Sequence, residues 1–98
     1  MFDPLRLSEN RLQDEGTIAV CDALRESKVS KIQELDLSMN GIGPTGAESV
    51  AAYVAVTGSL TRLDVSHNYL DRGGQGVKIL RDAVSGRKGF VLIDEDNN

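Results

Sequence analysis

Three stretches of this chain repeat one spelling at nearly constant spacing, and that repetition limits the fold more than any other property of the sequence. Leu5, Leu7, Ser8, Asn10 and Leu12 are followed by Gly16, Val20 and Leu24; Leu35, Leu37, Ser38, Asn40 and Ile42 are followed at the same intervals by Gly46, Val50 and Val54. Leu63, Val65, Ser66, Asn68 and Leu70 open a third copy, in which two extra residues within 71–75 precede Gly76, Leu80 and Val84. The copies start 30 and 28 residues apart, and Val91 with Ile93, 28 residues further on, marks a partial fourth. Phe2, Ile32 and Leu60, each three before a start, complete the pattern LxxLxLSxNxL, which Lys88 breaks in the last copy.

Two leucines two residues apart point to the same side of an extended strand, and the residue between them points to the other. One side is core. Stacked copy on copy, the other side becomes the open face of a parallel sheet. The asparagine after each strand sits where the chain leaves the sheet, and its amide can satisfy backbone groups that would otherwise be buried unpaired, so Asn10, Asn40 and Asn68 are read as structural. Counting from each glycine, Val20, Ala23 and Leu24, then Val50, Tyr53 and Val54, then Leu80, Ala83 and Val84, form one apolar stripe on a helix. Pro44 suits a first helical turn, and Asp14 with Glu15 suits the positive end of a helix dipole. Gly16, Gly46 and Gly76 are expected to let helix and strand approach closely. A phosphate-cradling loop is rejected, because the glycines recur once per copy and Gly73, Gly74 and Gly76 do not form GxxxxGK or GxGxxG in the required context.

The spelling LxLSxNxLxxxGxxxLxxxL at 28 to 30 residues resembles the ribonuclease-inhibitor-like class of leucine-rich repeats over nearly the whole chain. The resemblance implies an α/β leucine-rich repeat solenoid, a short horseshoe with parallel strands on the concave face and helices on the convex face. Residues 1–98 then form a single domain with repeats starting near 5, 35 and 63 and a partial fourth near 91. The class is shared by Ran GTPase-activating proteins, nucleotide-binding immune receptors and tropomodulins, so it identifies an architecture that serves many functions.

Composition removes several of those functions. The chain is 40% apolar and 27% charged, which is globular rather than disordered. Its net charge is -4 and its eleven Lys and Arg are scattered, with Lys28/Lys31 and Arg87/Lys88 as pairs rather than tracts, so no nucleic-acid partner is expected. No stretch nears the ~18 apolar residues of a membrane span, and MFDPLRLSEN lacks the features of a secretion signal. A soluble cytoplasmic or nuclear protein is expected. The single Cys21 excludes an intrachain disulfide, fits a reducing compartment, and is read as a half-buried spacer one residue past the helical stripe.

Packing does not dictate the outward strand positions, so they are the informative ones. Arg6, Asp36 and Asp64 are expected in one column of the concave face, Ser8, Ser38 and Ser66 in the next, Glu9, Met39 and His67 beside these, and Glu34 and Arg62 at the preceding position. Neighbouring strands lie about 4.8 Å apart, so Asp36 and Asp64 should be close enough to repel. Two readings stand: an acidic stripe that attracts Lys or Arg of a partner, or a solvated face partly balanced by Arg6 and Arg62. Tyr69 replaces Arg11 and Gly41 in the turn and is added as a contact residue. The candidate partner-binding set is therefore Arg6, Glu34, Asp36, Met39, Arg62, Asp64, His67 and Tyr69. No catalytic residues, metal or cofactor are assigned. A paired-carboxylate hydrolase needs a pocket that excludes water, His67 lacks companion ligands, and Ser66, His67 and Asp64 alternate faces. The tail DEDNN lacks the glycine and distal glutamate of a calcium loop and is read as a frayed terminus.

Solenoids need capped ends. No capping element precedes Phe2, and an edge strand over residues 3–8 would stay open. Three explanations compete: a piece of a longer solenoid, self-association through the open end, or a last copy that caps itself. The leading expectation is a protein-interaction module binding a partner, basic in character, on its concave strand face. The alternatives are a homodimer formed through an uncapped end and a GTPase-activating regulator.

Overall fold

A computed structural model of the chain describes residues 3–27 and 31–98, and of Asp3 the backbone alone. Phe2 and Lys28, used above in the repeat pattern and the charge reading, lie outside the described residues. Strand β1 (Asp3–Arg6) leads into helix α1 (Gln13–Glu26), and the alternation continues through β2 (Ile32–Asp36), α2 (Pro44–Val56), β3 (Arg62–Asp64), α3 (Gly76–Val84) and β4 (Val91–Ile93). The strands form one parallel sheet in chain order, while α1 packs on α2 and α2 on α3. This is the α/β solenoid that the repeat implies. Among the described residues no helix is long and apolar enough to cross a membrane.

The repeated apolar positions make the core. Leu35, Leu37, Ile42, Val50, Val54, Leu63, Val65, Leu70 and Leu80 are at most 1% exposed. Their first-copy counterparts Leu5, Leu7, Leu12 and Leu24 are only partly buried, since nothing among the described residues covers their outer flank. The same asymmetry shifts the buried stripe of α1. Thr17 and Cys21 are fully buried, whereas Ala23 is exposed. Cys21 is thus a core residue rather than a half-buried spacer, and burial pushes its thiol pKa up to about 12.

A ladder of asparagines ties the copies together. Asn40 Oδ1 accepts the N–H groups of Asn10 (2.8 Å) and Leu12 (3.3 Å), and its amide donates to the carbonyls of Leu7 and Ser38. Asn68 Oδ1 does the same for Asn40 (2.9 Å) and Ile42 (3.1 Å), and its amide donates to Leu37, Val65 and Ser66. Each side chain satisfies backbone groups of two copies, which is the structural role assigned to it.

The last copy departs from expectation. Leu63 pairs with Leu92 rather than Val91, so this copy starts at Leu92 and leaves Val91 43% exposed. Residues 91–93 are apolar throughout and cannot set a register by alternation; Asn97 sets it, because its Oδ1 takes the N–H of Asn68 at 3.1 Å. The terminus is accordingly docked and not frayed. Asp94 takes the place that Leu37 and Val65 hold in the inner copies, with its side chain 15% exposed and Oδ2 2.8 Å from Arg81 Nε. The Asn98 carbonyl accepts the Asp71 N–H. A charged pair thus stands where the inner copies carry an apolar side chain.

The glycines also act differently from expectation. Asp14 Oδ1 accepts the N–H groups of Gly43 (2.7 Å) and Gly46 (2.9 Å), so it caps α2, whose own N-cap residue Gly43 has no side chain to offer. A Cβ on Gly46 would stand 2.6 Å from Asp14 Oδ1 and 2.7 Å from Ile42 Cγ2, and one on Gly76 would stand 2.2 Å from the Leu70 carbonyl oxygen. These glycines make room for a capping carboxylate and for the turn residue of their own copy, not for a strand. In the third copy the cap is local, Asp71 Oδ1 accepting the Val77 N–H at 3.0 Å, and Asp71 lies in the stretch that carries the two extra residues.

Candidate functional site: the open face of the sheet

Register places the outward residues in two rows. Pro4, Glu34, Arg62 and Val91 align across the four strands, and Arg6, Asp36, Asp64 and Ile93 align beside them. A groove of about 240 Å³ runs over β1 to β3, lined by Pro4, Leu5, Arg6, Glu34, Leu35, Asp36, Arg62 and Asp64. Five of the eight candidate contact residues therefore lie in one depression, together with Pro4, which sequence reasoning missed. Its signal was legible: Pro4 precedes Leu5 as Glu34 precedes Leu35.

The aspartates are held in place by their own copies. Asp36 Oδ1 accepts the Ser38 N–H at 3.0 Å and the Ser38 hydroxyl at 2.7 Å; Asp64 Oδ1 accepts those of Ser66 at 3.0 and 2.6 Å. Each is an Asx-type turn, and it corrects the expectation of an outward serine row. Ser38 and Ser66 are only 4% and 6% exposed, because their hydroxyls point back at the carboxylates. The first copy has Arg6 in place of the aspartate, and Ser8 is only half-buried. Among the described residues no donor reaches the second oxygen of Asp36 or Asp64, and Arg6, Glu34 and Arg62 take part in none of the ion pairs.

Met39 and His67 stand just past the strands, at the edge of this face. Both have left-handed backbone, φ 55° and 56°, as do Glu9 at 59° and Asp96 at 54°. This bend is where the chain rises from the sheet into the asparagine, and nothing in the side-chain chemistry announces it. Met39 is 45% exposed. The His67 N–H donates to the Glu95 carbonyl at 3.0 Å, while its imidazole Nδ1 lies 3.6 Å from Asp96 Oδ2. The Ser66 hydroxyl is engaged by Asp64 and the imidazole faces Asp96, so these side chains do not form a nucleophile–base pair. Among the described residues no group of His, Cys, Asp and Glu is placed to hold a metal.

Tyr69 is separate from the other candidates. It lies on the loop between β3 and α3, 41% exposed, with the Arg72 guanidinium 4.0 Å from its ring centre. Its neighbours around a shallow depression are Gln13, Asp14, Glu15 and Gly41, all on the strand-to-helix margin.

Comparison with known proteins agrees with this architecture. One family model described as Leucine Rich repeat matches residues 5–21 and 30–51, and a second, described as Leucine Rich Repeat, matches residues 59–82. The chain is 40% identical over 76 residues to human (Homo sapiens) NACHT, LRR and PYD domains-containing protein 5, covering 78% of this chain and 6% of the relative. It is 37% identical over 87 residues to RAN GTPase-activating protein 2 of Arabidopsis thaliana, covering 89% of this chain and 16% of the relative. A third, human NACHT, LRR and PYD domains-containing protein 14, is 35% identical over 80 residues, 82% of this chain and 7% of the relative. The chain thus spans a small fraction of the length of these relatives. From its repeat, its alternating parallel architecture and these matches, the chain belongs to the leucine-rich repeat proteins.

Proposed function

We propose that this chain is a non-enzymatic protein-interaction module, located in the cytosol or nucleus, that takes a basic partner segment on the open face of its sheet. Leucine-rich repeat domains as a class bind other proteins. The observation that carries the reading is the groove in which Glu34, Asp36 and Asp64 stand together while Asp36 and Asp64 each keep one carboxylate oxygen unbonded among the described residues. Such a row attracts Lys or Arg and steers their approach. Met39, at the margin, adds exposed apolar surface.

The test is binding of Lys- and Arg-containing peptides to the chain and to the double variant Asp36→Asn/Asp64→Asn. Asparagine retains a side-chain oxygen for Ser38 and Ser66, so the turns survive while two charges go. The reading expects at least a roughly tenfold loss of affinity and a steep salt dependence in the unmodified chain. Equal affinity for both proteins, or indifference to salt, would remove the basic partner.

A second reading follows from the 37% identity to a RAN GTPase-activating protein: regulation of a GTPase. Faster nucleotide hydrolysis by a GTPase on addition of the chain would support it, and an unchanged rate would leave binding alone.

A further inference from the structure

The last strand differs from the two before it on the open face. Those two read Glu34, Leu35, Asp36 and Arg62, Leu63, Asp64, a core leucine between two charged residues that point outward. The last reads Val91, Leu92, Ile93. Its register sets Leu92 beside Leu63 and packs it against the core, so Val91 falls in the outward row with Arg62, and Ile93 in the row with Asp64. Val91 is 43% exposed and Ile93 is half-buried. Packing does not call for either side chain, since neither belongs to the core or to the partly buried residues set against it. Nor would a further strand cover them. A neighbour in the sheet pairs with the edge of β4 and leaves its outer face as open as those of β2 and β3.

The open face is therefore graded across the strands. Arg6 stands on β1, Glu34 and Asp36 on β2, Arg62 and Asp64 on β3, and the two apolar side chains on β4. Only β2 presents two carboxylates and no cation of its own, so a cationic side chain of a partner is best matched there. The apolar pair lies two strands further on, about 9.6 Å away at the usual spacing of about 4.8 Å. A β-extended segment turns every second side chain to the same side, at about 6.7 Å, and misses this distance. A polyproline II segment repeats every three residues and rises about 3.1 Å at each, which puts side chains three apart on one side and about 9.3 Å from each other.

We propose, resting on the reading of the open face as a site for a basic segment, that this segment crosses the strands in the polyproline II conformation and carries an apolar side chain three residues from its Lys or Arg. The cation stands over Glu34 and Asp36, and the apolar group over Val91 and Ile93. Charge steers the segment in, and apolar burial, which salt does not screen, holds its other end.

The probes are short peptides of Pro and Ala with one Arg, carrying either Leu or Ala three residues before or after it. They are titrated against the chain and against Val91→Thr/Ile93→Thr, whose side chains keep the β-branched shape that a strand favours. In one of the two orders, the Leu peptide should bind the unmodified chain roughly fivefold or more tighter than its Ala counterpart. The variant should bind the two alike. Moving Leu to two residues from Arg should remove most of the advantage. Equal binding of Leu and Ala peptides by the unmodified chain in both orders overturns the inference, and that comparison needs no variant. So does a Leu advantage that the Thr variant retains, which would seat the apolar group elsewhere. If binding still falls with Asp36→Asn/Asp64→Asn, either failure leaves the basic partner standing, whereas no binding of any Arg peptide removes both readings. A mass by light scattering that doubles with concentration in the unmodified chain and stays single in the Thr variant makes a second copy the occupant of Val91 and Ile93, and likewise overturns the inference.

Discussion

Asp14 Oδ1 lies 2.9 Å from the backbone nitrogen of Gly46, so a side chain from one copy caps the helix of the next. The bond couples α1 to α2 at the end where α2 has no capping side chain of its own. Asp14→Ala should cost about 1 kcal/mol, a fall in Tm of roughly 4–8 °C, whereas the exposed neighbour Glu15→Ala should cost little. Thermal melts of the two variants check this, and equal losses would assign the effect to the dipole of α1 rather than to the cap.

Gly46→Ala places a methyl against both Asp14 Oδ1 and Ile42 Cγ2. It should destabilise strongly by itself, and by a smaller increment once Asp14→Ala has removed one of the two obstacles. Denaturant unfolding of the singles and the double measures that coupling; simple additivity would mean that Asp14 and Gly46 do not share the space described.

The asparagine ladder predicts a gradient. Asn68 is 1% exposed and its side chain makes five hydrogen bonds to backbone groups, so Asn68→Ala strips partners from buried donors and acceptors and should cost about 3 kcal/mol or more. Asn97→Ala removes bonds at a half-buried site and should cost about 1 kcal/mol, with freer amide exchange through residues 92–98 as its signature. Unchanged exchange there would show that Asn97 does not hold the last copy in place.

Much of this was legible in the spelling of the repeat. Two periods, one of the strand and one of the helix, fix which of Leu35, Asp36 and Leu37 face the core, and the register then aligns Arg6, Asp36 and Asp64 as expected. What stayed hidden depended on contacts between copies. Asp14 reads locally as a dipole partner, because its true target lies about 30 residues away. Ser38 and Ser66 read as outward by alternation, which cannot foresee that the aspartate two residues earlier turns their hydroxyls inward. Val91, Leu92 and Ile93 offer hydrophobicity two valid phases, and only the polar Asn97 chooses between them. Tyr69 was added from the turn as a contact residue, and nothing in the spelling shows that the turn carries it to a margin apart from the strand residues.

The Asx turns on the open face separate charge from structure. Asp64→Asn keeps the acceptor for the Ser66 N–H and hydroxyl and should change stability little. Asp64→Ala leaves both donors of a residue that is 6% exposed without their partner and should cost about 1–2 kcal/mol. Chemical denaturation distinguishes the two, and equal stability of the Ala and Asn variants would show that the turn contributes nothing.

Cys21 predicts alkaline sensitivity. Its thiol is fully buried, and desolvation, with a smaller contribution from Asp22, raises its pKa from 9.0 to about 12. The folded pKa lies above the unfolded one, so from pH 9 upward the unfolded chain releases this proton while the folded chain retains it. Stability from this group is complete below pH 9 and is lost as pH rises towards 12, at up to about 1.4 kcal/mol per pH unit. Tyr53, raised from 10.0 chiefly by burial, acts in the same direction, so the comparison must be with Cys21→Ala rather than with neutral pH alone. The variant should begin less stable, through the small cavity left in the core, and its stability should fall less steeply across this range. Parallel slopes for the two proteins would mean that the thiol ionises without unfolding. In that case a disulfide reagent should modify Cys21 in the native chain as fast as in the unfolded one, whereas burial requires that modification wait for unfolding.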